Sequence, residues 1–283
     1  MPTTSAQKIN IKGRKSELIS FTWEDMELFS AASHDLSPLH CSKDYARNTS
    51  FGSPILFGML AEIACLGKQQ KRNNYRLSKV KVEFSQAMYP EVEYQLNITE
   101  DLPHRATVKI YDDHRLMLKL VTQFQPGPTS APEKMLNYST FADHIPNILI
   151  RRESAHLQES DLVAGYTVAG DYVPDLEKMR LLIERFNLSE KGMDARQIAT
   201  ILWQSYLAGM ELPGRQSLCG KMSLNFEQVI APTQPQFSYQ AKVLFYDSSL
   251  HLIKIGAELV SQQTSWATGQ LQIFFRTDFS TDS

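Results

Sequence analysis

Asp35 and His40 stand five positions apart on either side of Pro38, and Gly58 follows them within a long apolar run. A carboxylate and an imidazole are side chains that exchange protons readily in acid–base catalysis. A backbone N–H at the start of a helix can stabilise a developing oxyanion, and glycine lets a ligand approach that N–H closely. The stretch therefore predicts an acid–base pair facing a helix N-terminus. Taken alone, the same residues are also typical of an ordinary turn that leads into a core helix.

The functional interpretation depends on where this helix begins. If Ser53 were the N-cap and Pro54 the first helical residue, the N–H of Gly58 would bond to the carbonyl of Pro54 and would be unavailable. The catalytic interpretation therefore requires a helix that begins near Phe57.

The composition excludes several classes of function. The chain has 283 residues, 42% hydrophobic and 21% charged, with a net charge of −2, which is ordinary for a globular protein and gives no basic field for nucleic acid or an anionic membrane. No apolar run is long enough to span a membrane, and the N-terminus lacks a secretory signal. Cys41, Cys65 and Cys219 are far apart, which argues against a disulfide framework and favours a cytoplasmic protein. No metal-binding or nucleotide-binding motif occurs, so we expect no cofactor.

The chain contains two copies of one plan. Residues 79–90 read KVKVEFSQAMYP and residues 221–232 read KMSLNFEQVIAP, and each begins as an alternating strand and ends in Pro. Further matches pair Asp35 with Asp171, Pro38 with Pro174 and Gly58 with Gly192. We therefore predict an N-terminal domain over 1–126, a Pro/Gly/Ser-rich linker over 127–145 and a C-terminal domain over 146–283.

Each copy has the same order of predicted elements: a short strand and helix, a loop, an apolar helix and then at least three strands. Residues 55–66 (ILFGMLAEIACL) are apolar almost all round, which indicates a buried helix. A buried helix wrapped by a curved antiparallel sheet is the hot-dog plan. The sequence thus predicts an α+β double hot-dog fold, with the two sheets joined edge to edge.

The stretch from Asp35 to Leu60 resembles the MaoC-like hydratase/dehydratase family, which includes the R-specific enoyl-CoA hydratases. DLSPLH, DYA, FGSPI and GML match the usual pattern without a gap. The resemblance implies reversible hydration of 2-enoyl thioesters, or dehydration of (R)-3-hydroxyacyl thioesters, carried on coenzyme A or an acyl carrier protein. It implies that Asp35 and His40 hold the reacting water and that the Gly58 N–H binds the thioester carbonyl. The substrate-binding residues expected beside them are Ser37, Pro54, Ile55, Phe57 and Met59.

The sequence departs from the family pattern at several positions. Ser37 stands where Asn is usual, and Phe57 stands where His usually precedes Gly-Met. In the second copy, Val173 and Leu176 replace the usual Asn and His. Without an imidazole there is no acid–base pair, so we expect the second copy to be catalytically silent, with its longer helix lining the acyl groove.

Two other functions remain open from the sequence. A hot-dog thioesterase would place its carboxylate in or beside the central helix, where Glu62 is the candidate in the first copy. A non-catalytic acyl-binding or assembly module would fit Phe57 and the degenerate second copy. The expected partners are an acyl thioester, with an acyl carrier protein as one candidate carrier, and a second copy of the chain in a homodimer. Neither nucleic acid nor membrane is expected as a partner.

Overall fold

The protein is described here by a computed structural model, which covers residues 12–127, 150–189, 191, 193–227, 235–261 and 264–276. Within the described residues, the N-terminal repeat contains five strands and four helices. In chain order these are β1 (Lys12–Ser20), α1 (Trp23–Ser33), α2 (Pro38–Cys41), α3 (Lys43–Arg47), α4 (Gly58–Gly67), β2 (Tyr75–Phe84), β3 (Glu93–Asp101), β4 (Arg105–Asp112) and β5 (Arg115–Pro126).

The C-terminal repeat follows the same order with a shorter connection before its central helix. Its elements are β6 (Thr167–Tyr172), α5 (Leu176–Arg185), α6 (Ala195–Tyr206), a π-helical turn (Leu207–Glu211), β7 (Ser217–Phe226), β8 (Phe237–Asp247), β9 (Leu252–Ser261) and β10 (Thr264–Phe275), preceded by a 3₁₀ turn at Glu159–Asp161. The central helix α6 has 12 residues and its π-helical continuation has five, whereas the corresponding helix α4 has ten. The C-terminal repeat thus has the longer helix that the sequence predicts, and the difference of seven residues is about two turns.

All ten strands form one antiparallel sheet in the order β1-β3-β4-β5-β2-β7-β10-β9-β8-β6. The two repeats meet where β2 pairs with β7, as the predicted edge-to-edge joining requires. In that pair Lys81 lies opposite Ser223, Val80 opposite Leu224 and Val82 opposite Met222. The strand alignment read from the sequence therefore coincides with a local two-fold relation centred on the pair of Lys81 and Ser223.

The sheet curves around α4 and α6, which form the core together with the inward side chains of the strands. All twelve residues of α6 are buried, as are the residues of α4 from Met59 onwards. Contacts between the repeats also hold α1 in place. The Arg185 guanidinium on α5 donates two hydrogen bonds, of 2.7 and 3.0 Å, to the buried carboxylate of Asp25.

The central helix of the N-terminal repeat starts at Gly58, three residues later than the apolar run alone suggests. Ile55 N–H donates to the carbonyl of Leu39 and Leu56 N–H donates to that of Met88, so these residues are held extended by tertiary hydrogen bonds. Phe57 is the N-cap, with φ −61° and ψ 125°. The requirement that the helix begin near Phe57 is therefore met, and Pro54 is not its first residue.

The alignment of Asp35 with Asp171 is wrong. Asp171 lies in β6, which pairs with β8 as β1 pairs with β3, so it precedes the helix that corresponds to α1. Each of these helices is followed by a left-handed residue, His34 (φ 58°) after α1 and Asn187 (φ 53°) after α5. The next residue is Asp35 in the first repeat and Leu188 in the second, so Leu188 is the structural counterpart of Asp35.

Two further expectations cannot be compared with the structure. Gly192, and the linker apart from Gly127, lie outside the described residues. Among the helices that are described, none is long and apolar enough to cross a membrane.

Candidate active site

Asp35, His40 and Gly58 line one cavity of about 220 Å³. The stretch that carries them is built from short elements: α2 begins with Pro38 and ends with Cys41, and the first residue of α4 is Gly58. Most of the remaining wall is apolar, with side chains from both repeats. These include Leu39, Ile55, Met59, Phe84, Met88, Leu218 and Phe274. The cavity therefore combines a few convergent polar groups with an apolar wall, as small-molecule sites commonly do.

The carboxylate of Asp35 is buried, with only 2% of the residue exposed. Its Oδ1 accepts a hydrogen bond of 2.9 Å from the N–H of Ser37, and its Oδ2 accepts one of 2.6 Å from the hydroxyl of Ser205. Burial raises the pKa of Asp35 to about 6, and the hydrogen bonds from Ser205 and Ser37 oppose that rise. At neutral pH the carboxyl group is mostly ionised, but its pKa lies close enough to the pH for it to gain and lose a proton readily, which suits proton transfer.

The imidazole of His40 is held in one tautomer. Its Nδ1 lies 2.8 Å from the carbonyl oxygen of Ile55, which can only accept, so the neutral ring carries its proton on Nδ1 and leaves Nε2 as an acceptor. Burial lowers the pKa of His40 to about 4 against the favourable bond to Ile55. His40 is therefore neutral at physiological pH and can accept a hydrogen bond from water.

Gly58 is the first residue of α4, so its N–H has no acceptor within the helix. It also lies at the positive end of the helix dipole. A Cβ at this position would lie 2.8 Å from Cε1 and Cζ of the Phe84 ring, so a larger residue here would force that ring to shift. This donor is suited to a carbonyl oxygen that gains negative charge.

Of the five residues expected to bind substrate, only Ile55 and Met59 line the cavity. Phe57 instead packs against the ring of His40, with centroids 4.2 Å apart, and against Phe29 at 4.9 Å. Phe57 therefore gives the ring of His40 an apolar support and does not itself line the cavity. Pro54 and Ser37 are buried outside the lining. The Ser37 hydroxyl has no hydrogen-bond partner among the described residues, although its N–H holds Asp35.

Sequence reasoning missed the individual residues that the C-terminal repeat contributes. Ser205 lies in α6, Gly209 lies in the π-helical turn, and Cys219 lies in β7, yet all three line the cavity beside Asp35. The one feature of the sequence that pointed to a contribution from the C-terminal repeat was the greater length of its central helix. No local pattern indicated which residues of that helix would face Asp35, because the contact spans 170 residues of chain.

The motif expected in the second copy forms no comparable site. Asp171 lies exposed on β6, where it accepts a hydrogen bond from Ser238, and Leu176 is the first residue of α5. Leu188, the counterpart of Asp35, is fully buried. Within the residues that the structure describes, no cluster of three or more His, Cys, Asp or Glu side chains could hold a metal ion.

Comparison with known proteins agrees with this architecture. Residues 5–98 match the family described as MaoC like domain, whereas no curated protein matches the chain. A solved structure named MaoC-like dehydratase is 11% identical with a TM-score of 0.66, covering 95% of this chain and 99% of the other. A putative MaoC domain protein dehydratase from Chloroflexus aurantiacus is 7% identical with a TM-score of 0.64, again over 95% and 99%.

The repeat organisation has its own parallel. A conserved hypothetical protein from Mycobacterium tuberculosis that has a double hotdog fold is 9% identical with a TM-score of 0.60, covering 93% of this chain and 96% of the other. At 7–11% identity the similarity to these solved structures shows the fold alone, and the family match comes from the sequence of residues 5–98. The chain thus has a double hot-dog fold, and residues 5–98 of its N-terminal repeat match the MaoC like domain family.

Proposed function

We propose that this protein catalyses the reversible hydration of 2-enoyl thioesters and the dehydration of (R)-3-hydroxyacyl thioesters. The observation that carries the proposal is the convergence of Asp35, His40 and the N-terminus of α4 on one largely apolar cavity. An acyl chain would lie along the apolar wall, and its thioester carbonyl would face the N–H of Gly58. Coenzyme A or an acyl carrier protein would carry the substrate, and the chemistry needs no further cofactor.

In the hydration direction, a water molecule donates one hydrogen bond to Nε2 of His40 and the other to the carboxylate of Asp35. The water oxygen bonds to the β-carbon while its proton passes to Asp35, and the electron pair of the C=C bond moves into an enolate whose oxygen accepts from the Gly58 N–H. Asp35 then returns the proton to the α-carbon. The net change is the addition of H and OH, and dehydration follows the same steps in reverse.

The ionisation states fit this sequence of steps. Asp35 must start as a carboxylate in both directions, and His40 must be neutral to accept from water. Because the pKa of Asp35 is about 6 and that of His40 about 4, both conditions hold at neutral pH. The acidic limb of kcat/KM should therefore follow the ionisation of Asp35.

The thioesterase alternative gains no support from Glu62. This residue is fully buried in α4, does not line the cavity, and burial raises its pKa to about 8. Both carboxyl oxygens lack a hydrogen-bond partner among the described residues. A protonated carboxyl outside the cavity is poorly suited to activating water against a thioester carbonyl. A non-catalytic acyl-binding module would use the same cavity, and an activity assay distinguishes it from a hydratase.

The test is the absorbance of the enoyl thioester, followed with crotonyl-CoA and with a longer 2-enoyl-CoA while free thiol is assayed in parallel. Wild type should consume the enoyl band without releasing thiol, and His40→Ala should lose most of this activity. Release of thiol would favour the thioesterase. Absence of both signals with CoA-linked and carrier-protein-linked substrates would contradict catalysis and favour the binding module.

A further inference from the structure

The π-helical turn after α6 packs directly on the loop that carries Asp35. A Cβ at Gly209 would overlap Oδ1 of Asp35 and lie 2.8 Å from its Cγ, so only glycine fits beside this carboxylate without a shift. The N–H of the next loop residue, Leu36, lies 3.1 Å from the sulfur of Met210. The turn is therefore shaped to the Asp35 loop at two successive residues.

Ser205, one turn earlier on α6, makes the only side-chain hydrogen bond to the Asp35 carboxylate among the described residues. The distance from its hydroxyl to Oδ2 is 2.6 Å, which is typical of a hydroxyl that donates to an ionised carboxylate. Ser205 is itself 3% exposed, so water does not compete freely for the bond. A hydroxyl donor in this position stabilises the anionic form of Asp35 over the neutral form.

The other titratable groups that interact with Asp35 carry no charge at neutral pH. They are Cys41 on α2, Tyr172 on β6 and Cys219 on β7, and burial raises the pKa of each. His40, which lines the same cavity, is neutral as well. Arg276 acts on His40, whose pKa it helps to lower, but among the described residues no cation is found to act on the Asp35 carboxylate. The hydrogen bonds from Ser205 and Ser37 are therefore what oppose its desolvation.

We propose that Ser205 is a positioning residue for Asp35, and that the C-terminal repeat completes the active site by supplying this hydroxyl together with the π-helical turn. The inference rests on the proposed function and adds a role for the repeat that lacks the motif. Ser205 fixes one carboxylate oxygen, Ser37 fixes the other, and Gly209 leaves the space that the carboxylate occupies. Asp35 is thereby held as an anion in one orientation for the water.

The test is the pH profile of kcat/KM for wild type, Ser205→Ala and Ser205→Thr. Loss of the hydroxyl should move the acidic limb of Ser205→Ala upward by about one pH unit, so that kcat/KM falls about tenfold below the limb and much less above it. Ser205→Thr keeps a hydroxyl and should restore the wild-type limb. Gly209→Ala should reduce kcat/KM at all pH values, because its methyl group displaces the carboxylate.

Ser238→Ala is the matched control, since it removes a Ser–Asp hydrogen bond of the same kind from the exposed Asp171 and should leave the profile unchanged. A purely structural role for Ser205 would lower kcat/KM of Ser205→Ala equally across the pH range with the limb in place, and this result would overturn the proposal. If wild type proves inactive, ¹³C NMR titration of the Asp35 carboxyl in the same variants decides the matter independently. An upward shift in Ser205→Ala supports positioning even though the hydratase proposal has failed, and an unchanged titration refutes positioning.

Discussion

The two repeats differ most between their first helix and their central helix. In the N-terminal repeat this connection spans residues 34–57 and contains α2, α3 and the pair of Asp35 and His40. In the C-terminal repeat it spans only residues 186–194, but the central helix continues into a π-helical turn. The loop that carries Asp35 and His40 is longer in the first repeat, and the helix that packs on that loop is longer in the second. The two repeats therefore contribute different elements to the wall of one cavity.

The largest expected effect separates Asp35 from Asp171. Asp35→Asn should lower kcat/KM for the enoyl thioester by about 10³-fold, since it removes the group that carries the proton. Asp171→Asn should change it little, because Asp171 lies exposed on β6 and away from the cavity. Both variants are compared by the loss of enoyl absorbance. If Asp171→Asn abolished turnover while the fold survived, the assignment of one active copy would be wrong.

The next effect concerns Leu188, the counterpart of Asp35. Leu188→Asp should reduce the free energy of unfolding by about 3–5 kcal/mol, because it buries a carboxylate without a prepared partner. Urea denaturation measures this change, and Leu188→Met is the volume-conserving control. Recovery of activity when Leu188→Asp is combined with Asp35→Asn would show that the second repeat retains a latent site, contrary to the comparison above.

The third comparison concerns Glu62 on α4, whose counterpart on α6, counted from the first helical residue, is Ala199. The pKa of Glu62 is raised from 4.5 to about 8 by burial, so the unfolded chain loses its proton before the folded protein does. Stability should consequently fall as pH rises from about 4.5 to about 8, by up to about 1.4 kcal/mol per pH unit, and level off above that range.

Glu62→Gln keeps the shape of the side chain and removes the ionisation, so its stability should decline less steeply over this range. Urea midpoints at several pH values measure the slope, and Glu258→Gln, at an exposed position, is the control. Identical slopes for wild type and Glu62→Gln would mean that Glu62 is ionised in the folded protein.

The sequence determined much of the fold through short-range patterns. The alternation of Val80 and Val82, matched by Met222 and Leu224, predicted two equivalent strands, and the structure pairs them. The structure also has a Thr22–Asp25 capping box at the start of α1 and a left-handed Asp113 in the turn between β4 and β5, two features that local sequence chemistry favours. These features were predictable because hydrophobic period, helix caps and turn residues act between near neighbours in the chain.

The match of Asp171 with Asp35 shows where such patterns fail. Asp followed three residues later by Pro is a local signal, and the same letters can end a strand or follow a helix. Only the pairing of β6 with β8 showed that Asp171 precedes the helix it was expected to follow. The placement of Phe57 behind His40 was also unpredictable, because the direction of a side chain at an N-cap depends on what packs around it.

The sequence by itself thus determined the two-repeat plan, the resemblance of the N-terminal stretch to MaoC-like proteins and the choice of Asp35, His40 and Gly58 as candidates, since these lie within 24 residues of one another. Only the tertiary structure decided that Ser205, Gly209 and Met210 close around Asp35. These residues come from another repeat and have no fixed spacing to Asp35. Their contacts exist only because β2 pairs with β7 and the two central helices pack together inside one sheet.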